Sequence, residues 1–328
     1  MSAIVSLKDV SVHFGSSRAV DGVSVDVKPG EVLALVGESG SGKTTLIRAI
    51  QGLQPVTSGK ITHTPASGER AAGSNRSRGN PGVQMIFQDP TGALNPRQTI
   101  YEIVAEGLRI RKESKDEAAK VARALSRAGL RPPERFFPMY PHQISGGQRQ
   151  RVVIAGAMVM EPDLLLADEP VASLDASIRG EILALMLDLV GETGLSILVV
   201  THDLGLAWNI ADRVAVMYLG RIVELGPTEQ ILGSPKHPYT RALLSVVPET
   251  TRMEQQILTG EIPDSRRIPV GCRFHPRCPV LQSGTLPDEV ASRCITEDPD
   301  QLDSSATWSA ACWAVAAAGE PDDGSVEA

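Results

Sequence analysis

The chain has 328 residues, a length that suits one large domain or two modest ones and easily buries a core. Its 42% hydrophobic and 22% charged content is ordinary for a globular protein in water, and a formal net charge of -7 argues against a dedicated nucleic-acid binder. No basic segment followed by an apolar run opens the chain, so no signal peptide is expected, and no apolar stretch approaches the roughly 20 residues that span a bilayer. The richest run, Val152 to Met160, reads as a buried helix, so work at a membrane would leave the spanning to other chains.

From the N-terminus, Val5 to Val12 (VSLKDVSV) and Val20 to Val27 (VDGVSVDV) alternate apolar and polar residues, the period of strands. Lys28-Pro29-Gly30 then turns the chain into a short apolar strand, Glu31 to Val36. A glycine-rich turn follows, and a helix from Lys43 to about Gly52. Residues 65–81, rich in Gly, Ser, Asn and Arg, read as a mobile surface insertion. Val83 to Phe87 predicts another strand. Ala118, Val121, Ala122, Leu125 and Ala128 mark one face of a helix over Glu113 to Ala128. Leu164 to Ala167 and Ser196 to Val200 are strands of buried type, with a helix from Ser177 to about Glu192 between them. Strands alternating with helices imply an α/β fold with a mostly parallel sheet. After Gly226, Pro, Gly and Arg become frequent, and a boundary is expected near Gly233; beyond about Gly319 the tail, 320–328, is acidic and expected to be disordered.

Two motifs carry chemistry. Gly37-Glu38-Ser39-Gly40-Ser41-Gly42-Lys43-Thr44 fits G-x-x-x-x-G-K-[ST], with Thr45 beside it, after a strand and at the start of a helix. Glycines let backbone N–H groups curl around phosphate oxygens, and the helix N-terminus adds partial positive charge. Lys43 reaches β- and γ-phosphates, and Thr44 offers a hydroxyl to Mg²⁺. A dinucleotide G-x-G-x-x-G reading fails, because no third glycine follows Gly40 and Gly42 at the right spacing. The second motif is an apolar strand, Leu164 to Ala167, ending in Asp168 and Glu169. A strand's C-terminal end is where open α/β sheets bind ligands. There Asp168 suits Mg²⁺ and Glu169 suits polarising an attacking water.

Ile144-Ser145-Gly146-Gly147-Gln148-Arg149-Gln150-Arg151 resembles the signature LSGGQ of the ATP-binding cassette (ABC) ATPases, with Ile for the first Leu. The likeness implies a P-loop ABC ATPase with a mostly parallel core sheet, an antiparallel β portion, a helical subdomain at about 89–160 and a C-terminal extension. It implies that Ser145, Gly146, Gly147 and Gln148 cradle the γ-phosphate of ATP held by a partner subunit. By the same resemblance Gln88 is the Q-loop glutamine that touches Mg²⁺, Asp175 lies in the D-loop, His202 is the switch histidine and Phe14 stacks on adenine. His13 is the weaker candidate for the last role. The D-loop reads Ala172-Ser173-Leu174-Asp175 where Ser-Ala-Leu-Asp is usual. Nucleotide binding is thereby assigned to Phe14, Gly37 to Thr45, Gln88 and Asp168; catalysis to Lys43, Glu169 and His202; and Mg²⁺ to Thr44, Gln88 and Asp168.

A narrower likeness is to the ATPases of oligopeptide and dipeptide importers, a subfamily that also includes nickel and glutathione importers. It rests on MIFQDP (85–90), LNPR (94–97), DEPV (168–171), VAVMYLG (214–220), HPYT (237–240) and GCRFHPRCP (271–279). It implies residues 1–232 as the nucleotide-binding domain and 233–319 as the subfamily's extension. It also implies two transmembrane permease subunits, a second homologous ATPase, an extracytoplasmic peptide-binding protein and a place on the cytoplasmic face of the membrane. Val171 looks more like the second ATPase of such pairs, so a heterodimer is expected.

All four cysteines, Cys272, Cys278, Cys294 and Cys312, lie in this extension. In a reducing compartment such clustering favours a metal site or free thiols over disulfides. Some members of the subfamily carry an iron–sulfur cluster here, which implies [4Fe–4S] on the four cysteines; zinc and plain thiols stay open, with His275 a lesser ligand.

Overall fold

The computed structural model describes residues 3–64, 82–113, 115–172, 174–245, 258, 260–299 and 307–318. The expected insertion at 65–81, the acidic tail at 320–328 and Ser173 lie outside the described residues.

Two sheets build the molecule. The smaller is antiparallel, ordered β2–β1–β4, from β1 (Val5–Phe14), β2 (Ser17–Val27) and β4 (Ser58–His63). The larger contains β3 (Val32–Val36), β5 (Val83–Ile86), β6 (Leu164–Asp168), β7 (Ser196–Thr201), β8 (Arg213–Tyr218), β9 (Arg221–Pro227) and β10 (Ser309–Ala310), in the order β10–β9–β8–β3–β7–β6–β5. From β8 to β5 every pairing is parallel; β9 and β10 add an antiparallel edge.

The central strands are mostly apolar because both faces of this parallel sheet are covered. Alternation along each strand divides the core in two. Val32, Ala34 and Val36 of β3 face one core, with Leu165, Ala167, Ile197 and Val199. Leu33 and Leu35 face the other, with Leu164, Leu166, Leu198 and Val200. Against the second core lie the helix Lys43–Gln51, through Leu46, Ile47 and Ile50, and the small sheet. Against the first lie the helices Gly146–Met158, Ala176–Thr193 and Leu204–Ile210. Helices Ile100–Ile110, Glu117–Arg127 and Gly146–Met158 pack on one another inside the stretch expected to be helical. Among the described residues no helix is long and apolar enough to cross a membrane.

The polypeptide beyond β9 returns to this frame. Helix Pro238–Ser245 buries Tyr239, and Phe274 is buried beside it; with Tyr218 of β8 they form an aromatic triangle, centroids 4.7 Å (Tyr218–Tyr239), 5.3 Å (Tyr218–Phe274) and 5.4 Å (Tyr239–Phe274) apart. Trp308 presses on Gly226, and its indole N–H donates to the buried Glu224 carboxylate at 3.0 Å.

Candidate nucleotide-hydrolysis site

Parallel pairing aligns the C-terminal ends of β3, β5, β6 and β7 along one edge: Ile86 is in register with Ala167, Asp168 with Val200, and Val36 with Thr201. The phosphate loop, Gln88, the acid pair and His202 all leave the sheet there, so four segments far apart in sequence arrive together.

The phosphate loop is held from below. Gly37 has φ +149° and Gly42 φ +105°, and a Cβ on either would stand 2.1 Å from a carbonyl oxygen, that of Met217 or Ala19. Only glycine meets both demands. The Ser41 carbonyl accepts the Gly220 N–H at 2.9 Å. Lys43 opens its helix with its ammonium folded into the loop, donating to the carbonyls of Gly37 (2.7 Å) and Glu38 (2.8 Å) and to Ser41 Oγ (3.3 Å). Burial lowers the Lys43 pKa, and the carboxylates of Glu169, Asp168 and Glu38 oppose that shift. An ammonium bound only to loop carbonyls and one hydroxyl is ready to exchange them for phosphate oxygens. Ser39 and Gly40 are exposed, and Thr45 is half-buried in the first helical turn.

Thr44 Oγ1–H donates to Asp168 Oδ1 at 3.3 Å. Burial raises the Asp168 pKa, against the lowering by Thr44. A buried carboxylate beside a hydroxyl is the hard-oxygen donor set that Mg²⁺ takes, so these residues fit the ion.

Glu169 follows directly, with φ 47°, a left-handed conformation that costs a non-glycine residue about 1 kcal/mol or more. Its N–H donates to the Val200 carbonyl at 2.9 Å, which ties the strained residue to β7. Its two carboxylate oxygens are both engaged. Gln88 Nε2–H donates to Oε2 at 3.3 Å, and His202 Nδ1–H donates to Oε1 at 2.8 Å. The structure thus brings Gln88, Glu169 and His202 into one constellation, with the His202 side chain 65% exposed. Gln88 bonds Glu169 here, not an Asp168–Thr44 oxygen.

The signature segment forms a helix N-terminus. Ser145 Oγ accepts the Gln148 N–H at 3.2 Å, and Gln148 Oε1 accepts the Ser145 N–H at 3.0 Å, a capping box. The helix therefore begins at Gly146, ahead of the apolar run at Val152 that announced it, because the cap residue is Ser145. Ser145 and Gly146 are exposed. A buried bond from Gln150 Nε2 to the Pro170 carbonyl, 2.7 Å, links this helix to the segment after Glu169. Asp175 stands exposed at the N-cap of helix Ala176–Thr193, its side chain making no cap bond. Phe14 ends β1 with half its surface open (51%), and β2 from the same hairpin carries the Ala19 carbonyl that presses on Gly42. His13 Nε2 lies 3.8 Å from Asp21 Oδ1.

Sequence reading missed the floor of this site. Gly220, Tyr239 and Arg277 all touch the phosphate loop, yet HPYT and GCRFHPRCP served only as subfamily marks. No spacing rule announces a contact between residues 239 apart.

The four cysteines line one cavity of about 10 Å³, room for about one water. Their thiols are free, and burial raises each pKa, Cys272 to about 12 and Cys294 to about 11. His275 Nδ1–H donates to the Cys272 carbonyl at 2.9 Å. Among the described residues no three or more His, Cys, Asp or Glu are grouped as a metal ion requires. The expectation of a cluster, and the zinc alternative, thus meet four thiols that line one small cavity without the grouping a metal ion requires.

A family model described as "ABC transporter" matches residues 20–172, and one described as "Oligopeptide/dipeptide transporter, C-terminal region" matches 223–284. The chain is 43% identical to the dipeptide transport ATP-binding protein DppF of Haemophilus influenzae, over 80% of this chain and 81% of that one. The chain belongs to the ATP-binding subunits of ABC transporters, in the oligopeptide/dipeptide family. Its likeness to the oligopeptide transport ATP-binding protein AppF of Bacillus subtilis is 41%, over 85% and 90% of the two chains. Among solved structures, cbiO1 of Clostridium perfringens, part of the ABC transporter complex cbiONQ, superposes with a TM-score of 0.63 at 29% identity, covering 71% of this chain and 92% of that one. The fold is that of an ABC ATPase, its larger sheet mixed parallel and antiparallel, and ATP hydrolysis is the activity of this family.

Proposed function

We propose that this chain powers an importer of peptides, hydrolysing ATP at the edge where the phosphate loop, Asp168, Glu169 and His202 converge. The observation that carries the reading is the grip on Glu169, one oxygen bonded by Gln88 and the other by His202, at the end of a buried strand. The relatives' names, which speak of dipeptide and oligopeptide transport, support the cargo class.

In this mechanism the loop N–H groups and the helix N-terminus bind the triphosphate, and Lys43 leaves the Gly37 and Glu38 carbonyls for phosphate oxygens. Thr44 and Asp168, with Gln88 near, would hold Mg²⁺, which when bound neutralises charge on the β- and γ-phosphates. Glu169 orients a water and accepts its proton as the water oxygen attacks the γ-phosphorus and ADP leaves. His202 turns its free Nε2 toward the γ-phosphate while Nδ1 holds the base. Ser145 to Gln148 of a partner subunit close the far side, and Phe14 stacks on the base.

The proposal places two permease subunits and a second ATPase beside this chain on the cytoplasmic face, with a peptide-binding protein outside. It reads residues 1–232 as the nucleotide-binding domain and 233–319 as the extension. For the cysteines it retains [4Fe–4S] ligation by Cys272, Cys278, Cys294 and Cys312, supported by all four lining one cavity and requiring that cavity to open beyond its present one-water volume; the iron content of an anaerobic preparation checks it.

The test is peptide uptake into proteoliposomes holding the assembled transporter, with the partner ATPase and binding protein. Uptake should require ATP and should fall at least tenfold with Lys43→Ala in this subunit. Uptake of nickel or glutathione but not peptide would overturn the cargo; full peptide uptake by the Lys43→Ala transporter would overturn the site.

A further inference from the structure

The phosphate loop carries a carboxylate of its own. Glu38 is the second residue of a loop whose task is to receive a polyanion, and an open negative charge there would oppose it. The charge is covered from the C-terminal segment. Arg277 Nη1–H donates to Glu38 Oε2 at 2.8 Å and Nη2–H to Oε1 at 3.1 Å, a two-pronged pair. The Arg277 side chain is almost wholly buried and its guanidinium lies 5.9 Å from the centre of the Tyr218 ring. The backbone of the same glutamate is held as well: its N–H donates to Tyr239 Oη at 2.9 Å, and Tyr239 is fixed by the aromatic triangle with Tyr218 and Phe274. One loop residue is thus gripped at main chain and side chain by residues more than 200 positions away. The carboxylate is also near enough to Lys43 to act on its ammonium.

We propose that Arg277 is a positioning residue of the ATP site: it cancels the charge of Glu38 beside the incoming phosphates, while Tyr239 holds the main chain of the loop's first turn. This rests on the ATP reading above and names a control on that site from outside the nucleotide-binding motifs. Removing one partner of a partly buried pair leaves the other charge uncompensated. Removing Arg277 therefore exposes a carboxylate to the triphosphate, whereas removing both partners leaves no charge. A bond that merely holds the fold would make the double variant at least as weak as the single one.

The experiment uses the full-length protein with Glu169→Gln to stop hydrolysis, titrated with a fluorescent N-methylanthraniloyl ATP and Mg²⁺ at fixed ionic strength. Arg277→Met should weaken binding about tenfold, the order expected when one charge appears within several ångströms of a bound polyanion. Adding Glu38→Gln should restore affinity to within about twofold of the parent, and salt should narrow the gap between single variant and parent. Equal affinity of Arg277→Met and parent, or a double variant as weak as the single, overturns the proposal. Lys43→Ala in the same assay keeps the underlying reading separate: if it binds as well as the parent, the ATP site is at fault and not Arg277. Should Arg277→Met fail to fold, Glu38→Gln alone decides, since it should bind at least as tightly as the parent and weaker binding contradicts the role.

Discussion

At the scale of single residues, burial decides which groups titrate. His237 is 1% exposed, its N–H donates to Glu224 and its Nδ1 accepts the Tyr239 N–H at 3.0 Å. Desolvation of the ring, with added repulsion from Arg241, brings the His237 pKa down to about 3. An unfolded histidine takes a proton near pH 6.5. As pH falls below that value the unfolded state binds a proton that the folded state refuses, so stability drops between about 6.5 and 3. The loss from pH 7 to pH 5 is about 2 kcal/mol for this group. Burial acts oppositely on Glu224, whose raised pKa favours the folded state at lower pH, so wild type must be compared with a variant. His237→Gln should flatten the fall in urea-unfolding free energy between pH 7 and 5 by about 2 kcal/mol; an unchanged slope would remove His237 as the cause.

At the scale of elements, the signature helix gives Ser145 a capping task beside its proposed one at a partner's nucleotide. Ser145 caps helix Gly146–Met158, and Gly147 packs where a Cβ would meet Ile178 Cγ2 at 2.8 Å. Ser145→Ala should cost about 1 kcal/mol in denaturant unfolding, the usual worth of such a cap. It should also slow ATP turnover in the assembled pair, beyond what that stability loss explains. Unchanged stability and turnover together would deny both tasks. The elements legible in the sequence are those with strong periods or fixed motifs. β3, β6 and β7 are unbroken apolar runs, and helix Ala176–Thr193 lies between acid pair and histidine as expected. β1 and β2 run longer than the alternation suggested, because their hairpin continues to a tight turn at Gly15 through the pairs His13–Arg18 and Phe14–Ser17, which break the apolar alternation. β8 to β10 carried no strand expectation, since β8 is an apolar run too short to distinguish from buried helix, β9 mixes charged and apolar residues, and β10 is a two-residue edge.

At the scale of the whole molecule, the acid pair, phosphate loop, Gln88 and His202 were named in advance because each sits in a motif, and the parallel sheet explains why motifs scattered over 165 positions, Gly37 to His202, meet at one edge. The brace by Tyr239 and Arg277 was illegible, because it depends on a C-terminal segment folding back over β8. The proposed hydrolysis at that edge turns on Glu169 acting as the base. The direct measurement is single-site turnover of Mg·ATP in the assembled transporter, with the partner subunit's own site disabled. Glu169→Gln should bind ATP with wild-type affinity and lower turnover on the order of 10²–10³-fold; turnover at the wild-type rate would contradict it.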